Sequence, residues 1–354
     1  MASAPRLVTV AAAQMGPNQM ATPRSEILGR IIKLLDDAVA AGAKLIVFPE
    51  LALTAFFAVH LLSEPELVEF MEPESAADPQ AIVESARVKP LFDRVKEHGV
   101  DIYIGYAERW TDEAGKTTDY NTSIYYSGSE GRVLAKYRKI HLPGTKEPLP
   151  GDKIAQQMEK RYFTPGNLGF QAFRAPGLVS GAIKADSAAG QDAKALEGKG
   201  DPILGMILCN DRRWPEAWRS YGLQGVEIML QGYNTTAWAP QYPGNFEEQE
   251  KLALMHHHIS LQGGSYTNAC FSINAGKAGT EDGGYLIGGS CIYDPDGFLL
   301  AETKTKEDEL LVATIDLAKC RRGKERVFNF DKHRRPEHYG RLVEQVGVQE
   351  PPLL

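Results

Sequence analysis

Three residue types in this chain could share one piece of chemistry. Cys209 ends the apolar run Gly205-Met206-Ile207-Leu208 and passes straight into Asn210-Asp211-Arg212-Arg213-Trp214-Pro215-Glu216, a charged, turn-prone segment. A thiol at the C-terminal end of a strand stands where open α/β sheets keep their chemistry. The ordinary reading is a small core cysteine beside a surface ion-pair cluster, and the segment alone does not choose. Glu50 follows Leu45-Ile46-Val47-Phe48-Pro49, a strand stopped by proline. A glutamate there is a base held at the sheet edge, because burial without a partner or task is costly, or it is a plain surface residue. Lys139 lies in Lys136-Tyr137-Arg138-Lys139-Ile140-His141-Leu142-Pro143-Gly144. Strand alternation turns Lys139 and His141 to one face. A desolvated lysine beside an acid supplies fixed positive charge for an oxyanion; otherwise the cluster is a solvated strand end. A thiol at its free pKa is mostly protonated at neutral pH and needs a base. Acid, cation and sulfur together suit acyl transfer at a C–N bond. Arg212 and Arg213 carry planar forks that can hold a substrate carboxylate, or they pair with Asp211 and Glu216.

These residues need elements to hold them. Leu7 to Met15 reads as a first strand, and Ser25 to Ala41 as a helix with Ile27, Ile31, Leu34, Leu35 and Ala38 inward, capped at Gly42. The four apolar residues before Pro49 suggest a strand buried on both faces. Ala81 to Gly99 is helical and expected to kink or break at Pro90. Val100 to Glu108 is a strand. Tyr120 to Tyr126 and Arg132 to His141 flank the hairpin-like turn Ser127 to Gly131. Thr145 to Gly166 reads as a long ordered loop of the kind that is often functional. The Ala/Gly/Lys/Asp-rich stretch from Arg174 to Asp201 reads as a surface insertion. Trp214 to Tyr221 suits a short helix, Val226 to Leu230 a strand, and Phe246 to Gly263 a helix. That helix carries His256, His257 and His258, which do not share one face and so make a poor metal site. Cys270 to Ala275, Gly288 to Tyr293 and Leu310 to Leu317 are further strands, with Asp294-Pro295-Asp296-Gly297 a turn. The charged tail from Lys319 is expected to extend over a neighbour. Strands alternating with helices, then hairpins, imply mixed sheets with helices outside.

With 354 residues, 43% of them hydrophobic, the chain can build one large domain or two average ones. A net charge of -7 argues against nucleic acid or an anionic membrane as partner. Cys209, Cys270, Cys291 and Cys320 show no CxxC pairing. With no secretory leader read at the start, reduced thiols in the cytoplasm are the expectation. The longest apolar runs are strand-length, far short of a membrane span. No Cys/His protease signature, GxSxG elbow or fixed-period repeat is present.

At Glu50, Lys139 and Cys209 the sequence resembles the nitrilase, or carbon–nitrogen hydrolase, superfamily, over nearly the whole chain. Within it the chain is most similar to the N-carbamoyl-D-amino acid amidohydrolases. The segments that carry the resemblance are VFPELALTAFF, KYRKIHLPG, EKRYF, CNDRRWPE, GYNT and FNFDKHRRPEHYG. The resemblance implies a four-layer αββα sandwich, two mixed sheets face to face with helices outside. It implies one domain over residues 1–340, with 174–201 inserted and 341–354 a tail, assembled as a homodimer or homotetramer. Glu50 becomes general base and acid, Lys139 the oxyanion stabiliser, Cys209 the nucleophile, and Glu159 a second glutamate that positions substrate and Lys139. The Asn210 N–H becomes a second oxyanion donor. His141, Arg212, Arg213, Asn234 and Thr235 become the pocket that reads the amino-acid part of a small substrate. No cofactor or metal is implied. Three departures stand out: the loop Gly144 to Pro150 is less aromatic than the subfamily pattern, Gln157 stands where histidine is common, and the 174–201 stretch has no counterpart in the compact members.

Overall fold

Strand alternation sets the layers. The computed structural model describes residues 5–192 and 196–353. Its first sheet has the order β15-β1-β2-β4-β5-β6, with β3 added on β4. Here β1 is Leu7–Gln14, β2 Leu45–Val47, β3 Met71–Ser75, β4 Asp101–Thr111, β5 Thr117–Ser127, β6 Arg132–Arg138 and β15 Glu309–Asp316. Strands β1, β2 and β4 run parallel; β15, β5 and β6 pair antiparallel. The second sheet has the order β14-β13-β10-β9-β8-β7. Its strands are β7 Phe173–Arg174, β8 Ile203–Leu208, β9 Ile228–Tyr233, β10 Phe271–Gly276, β13 Cys291–Tyr293 and β14 Leu299–Glu302. A separate hairpin joins β11 (Ala278–Glu281) to β12 (Gly284–Ile287).

The central strands bury both faces. Val8, Val10, Leu45, Val47 and Tyr103 of the first sheet meet Leu204, Met206, Leu208, Ile228, Leu230 and Ile273 of the second in one core. The alternate residues Ala11, Ala13, Ile46, Ile102 and Ile104 face the other way, onto Ile27, Ile31, Leu34, Leu35 and Ala38 of helix α1 (Arg24–Ala40) and Leu91, Phe92 and Val95 of α2 (Lys89–His98). On the far side, Ile207 and Met229 meet Trp218 and Tyr221 of α4 (Pro215–Gly222) and Leu261 of α5 (Phe246–Asn268). The single turn Glu159–Tyr162 is α3. The result is the expected αββα sandwich.

Several local expectations need correction. Pro90 does not break a helix; it lies in the first turn of α2, after a separate 3-10 turn at Ala81–Glu84. Proline is tolerated there because that N–H has no helical partner anyway. Helix α5 runs past Gly263 to Asn268. The stretch 174–201 is not all surface: Arg174 pairs with Ile203, and Ala175, Leu178 and Val179 are buried in the core between the sheets. Residues 184–187 and 189–192 are exposed, and 193–195 lie outside the described residues. The tail from Lys319 begins on its own chain. Cys320 is buried, and the Lys324 ammonium donates to the Gly225 and Val226 carbonyls at 2.7 and 2.6 Å.

Candidate active site

Glu50 sits just beyond the end of β2, and its placement depends on two glycines. A methyl group at Gly105 would lie 2.7 Å from the Glu50 Cα, and one at Gly232 would lie 2.4 Å from the Glu50 N. Those glycines belong to β4 of one sheet and β9 of the other, so the backbone of Glu50 is clasped between them. Leu51 follows with φ +46°, turning the chain away. The Glu50 carboxylate is fully buried. It accepts from the Asn121 side chain at 2.8 Å, from the Lys139 Nζ at 2.7 Å and from the Asn234 backbone N–H at 2.8 Å.

Lys139 stands one residue past β6. Its N–H donates to the Asn121 carbonyl and its own carbonyl accepts from Gly166, both at 2.8 Å. The buried ammonium also donates to Glu159 Oε2 at 2.6 Å, and so bridges two buried carboxylates. Burial disfavours its charge, but Glu159 and Glu50 outweigh burial and hold Lys139 above the ordinary lysine range. For Glu159, burial and the neighbouring Glu50 win over Lys139 and Asn121 and push the carboxyl up to about 7.

Cys209 follows β8 with φ +44°, a left-handed backbone that is rare outside glycine and turns the thiol out of the strand line. Its carbonyl accepts from Arg212 Nη1 at 2.8 Å and Gln231 Nε2 at 2.9 Å, which pins the turn. Its S–H donates to the Asn234 carbonyl at 3.3 Å. Asn234 therefore bonds Cys209 through its C=O and Glu50 through its N–H. Burial, then Glu50, raise the thiol pKa, while Lys139 and Arg212 pull it down. The thiol is held as a protonated reserve beside a base and two cations.

The residues expected to read the substrate divide into two groups. His141, Asn210 and Arg213 gather at the rim. The His141 ring bonds Asp211 Oδ1 at 2.7 Å and stacks on Trp214 with centroids 4.8 Å apart. Asn210 donates to the His141 carbonyl at 3.1 Å and accepts from Arg213 at 3.2 Å. Arg213 is exposed. Arg212, Asn234 and Thr235 are buried framework instead. Arg212 donates inside the protein, to the Cys209 carbonyl and to Thr235 Oγ1 at 2.9 Å, so Arg213 is the exposed one of the two arginines expected to offer a carboxylate clamp. Neither arginine is in an ion pair with Asp211. That carboxylate instead takes His141, the Tyr137 hydroxyl at 2.8 Å and the Leu208 N–H at 3.0 Å, tying the Lys139 strand to the Cys209 turn. Sequence reasoning passed over Asn121, Asp211 and Gln231. An acid between the nucleophile and two arginines is the one available signal, and pairing with those arginines is the only role the sequence reading offers it, as the alternative to a carboxylate clamp.

Comparison with known proteins bears on the family and the fold. The family model described as Carbon-nitrogen hydrolase matches residues 9–325. A nitrilase of Pyrococcus abyssi (strain GE5 / Orsay) is 27% identical, covering 95% of this chain and 100% of its own. An N-carbamoylputrescine amidase of Solanum lycopersicum is 27% identical, covering 98% of each. Among solved structures, a carbon-nitrogen hydrolase from Helicobacter pylori G27 superposes with a TM-score of 0.71 at 20% identity, covering 96% of this chain and 99% of that one.

Proposed function

We propose, for a chain that belongs to the carbon-nitrogen hydrolase family, hydrolysis of the ureido C–N bond of N-carbamoyl amino acids, with the D configuration favoured by the sequence resemblance. The observation that carries this reading is Asn234, which bonds the Cys209 thiol and the Glu50 carboxylate while Lys139 bonds that same carboxylate. Nucleophile, base and cation thus converge on one buried point.

Glu50 takes the Cys209 proton as sulfur attacks the ureido carbon. The developing oxyanion is held by Lys139 and the Asn210 N–H, where a low-dielectric site strengthens such donors. Glu50 returns the proton to the leaving amine, and a thiocarbamate remains on Cys209. Glu50 then activates water, which releases the thiol and carbamic acid, and the acid falls to carbon dioxide and ammonia. Glu159 keeps Lys139 oriented throughout. Arg213 at the rim favours a substrate that carries a carboxylate. A second reading takes its support from the Solanum relative, named for a carbamoylated amine: the leaving group would then bear an ammonium instead. Assembly as a homodimer or homotetramer belongs to the same proposal. Among the described residues no helix is long and apolar enough to cross a membrane.

The test is ammonia release from D- and L-N-carbamoyl amino acids, a carbamoylated diamine, simple amides and nitriles, alongside mass spectrometry of protein with substrate. The reading expects ammonia from the ureido acids, a carbamoyl adduct on Cys209, and no turnover in a folded Cys209→Ala protein. Release from amides or nitriles alone, or an adduct on Cys270, Cys291 or Cys320, sinks it.

A further inference from the structure

Outside the active site, helix α5 and the edge strands β13 and β14 bring together a second set of reactive side chains. Three histidines in a row cannot share a helix face, yet the sheet supplies what the helix lacks. One ligand atom each from His257, His258 and Cys291 lie within 4.8 Å of one another, the one such group among the described residues. Cys291 pairs with Glu302 across β13 and β14, and Glu302 Oε1 stands 3.0 Å from His258 Nε2. We propose that His257, His258, Cys291 and Glu302 form a binding site for a borderline-soft divalent ion of the zinc type.

The dimensions suit such an ion. A nitrogen about 2.0 Å and a sulfur about 2.3 Å from a tetrahedral zinc stand roughly 3.5 Å apart; His257 Nε2 and Cys291 Sγ are separated by 3.6 Å. Thiolate, carboxylate and two neutral imidazoles are donors that such an ion accepts. The charges balance, with one thiolate and one carboxylate against a dication. Balance matters here because Arg212 lies behind, across the Tyr233 ring: its guanidinium is 5.3 Å from that ring, and the ring is 4.5 Å from His257. The Tyr293 hydroxyl, 2.8 Å from His258 Nδ1, provides the outer hydrogen bond that orients a ligating imidazole. His257 is fully buried, and the nitrogen it turns toward Cys291, Nε2, also stands 3.2 Å from the Gly289 carbonyl. His258 and Glu302 are part-exposed, giving an entry path. On binding, the ion displaces the thiol proton of Cys291 to solvent, takes the place of the His258–Glu302 hydrogen bond and of the His257 Nε2–Gly289 hydrogen bond, and leaves the His257 ring proton on Nδ1.

The full-length Cys209→Ala protein removes the catalytic thiol as a competing ligand. Titrated with Co²⁺ as a spectroscopic stand-in, it should bind one equivalent, with a thiolate charge-transfer band and the strong visible bands of tetrahedral cobalt. Zn²⁺ should displace the cobalt and raise the melting temperature. Cys291→Ser in that background should abolish the charge-transfer band, and His258→Gln, at a part-exposed position, should weaken binding roughly tenfold or more. Absence of stoichiometric binding overturns the proposal, as does an unchanged charge-transfer band in Cys291→Ser. If the serine variant does not fold, wild-type affinity in His258→Gln overturns it by itself.

Discussion

Lys139 shows how one side chain can be set by its two neighbours. Both its carboxylate partners must be charged to grip it fully, and the Glu159 carboxyl is raised to about 7 by burial beside Glu50. Its charged form is therefore present above that pH and is lost as pH falls through it. The cluster titrates as a unit, so kcat/KM should fall on the acid side with a midpoint near neutrality. Glu159→Gln removes that titration: the limb should move to lower pH, and the rate should drop on the order of 10², the scale of a displaced oxyanion donor. An unchanged limb would place the titration elsewhere. The two arginines predict opposite phenotypes. Arg212→Lys removes buried hydrogen bonds to Cys209 and Thr235, costing about 1–3 kcal/mol of stability, read as a lower urea midpoint. Arg213→Lys should leave that midpoint alone and weaken use of N-carbamoyl amino acids more than of their amides, since lysine keeps the charge but not the fork. Equal losses on acid and amide would rule out the clamp. Adjacent arginines look alike in a sequence; the φ +44° turn at Cys209, which directs them to opposite fates, has no letter of its own.

At the scale of elements, the sheets are spaced by what their glycines omit. Gly232→Ala would set a methyl 2.4 Å from one Glu50 backbone atom and 2.6 Å from the Pro49 carbonyl carbon, with only backbone to yield. Overpacking of this kind costs about 1–3 kcal/mol. The expected outcome is a folded protein with a lower melting temperature and a kcat that falls much further than stability, because Glu50 moves. A variant that loses stability but keeps kcat would show that the clasp does not position the base. Strands such as Leu45–Val47 and Ile203–Leu208 were legible because continuous apolar runs mark burial on both faces. The strand Met71–Ser75 was not, since Met-Glu-Pro-Glu-Ser reads as polar loop. It is a strand because it can pair along the edge of β4, with Glu74 and Glu72 given cationic partners (Lys136 and Arg24). Pairing between distant segments overrides local propensity there. The hairpin β11–β12 was missed as well, although its two strands are joined by the short turn Asp282-Gly283.

For the molecule as a whole, the site belongs to neither sheet. Glu50 and Lys139 come from the first, Cys209 and Asn234 from the second. Tyr103 joins the halves: its hydroxyl donates to the Ile207 carbonyl at 2.9 Å and accepts from the Gly232 N–H at 3.1 Å. Tyr103→Phe should cost about 1–3 kcal/mol and shift the urea midpoints of activity and of far-ultraviolet circular dichroism together. A shift in activity alone would make Tyr103 a local fitting of the site and not a tie between halves. The αββα order was legible from alternation and the resemblance; the closeness of the docking was not, because glycines at 105 and 232 look the same in a sequence as glycines in loops.

The left-handed backbone at Cys209 has a consequence for anyone improving this protein in the laboratory. Such a conformation costs a non-glycine residue of the order of 1–2 kcal/mol. Asparagine or glycine rests there more easily than cysteine does. A library screened only for survival of heat will therefore tend to discard the nucleophile, enriching well-behaved proteins that do nothing. Any such campaign has to score turnover in the same round as heat resistance.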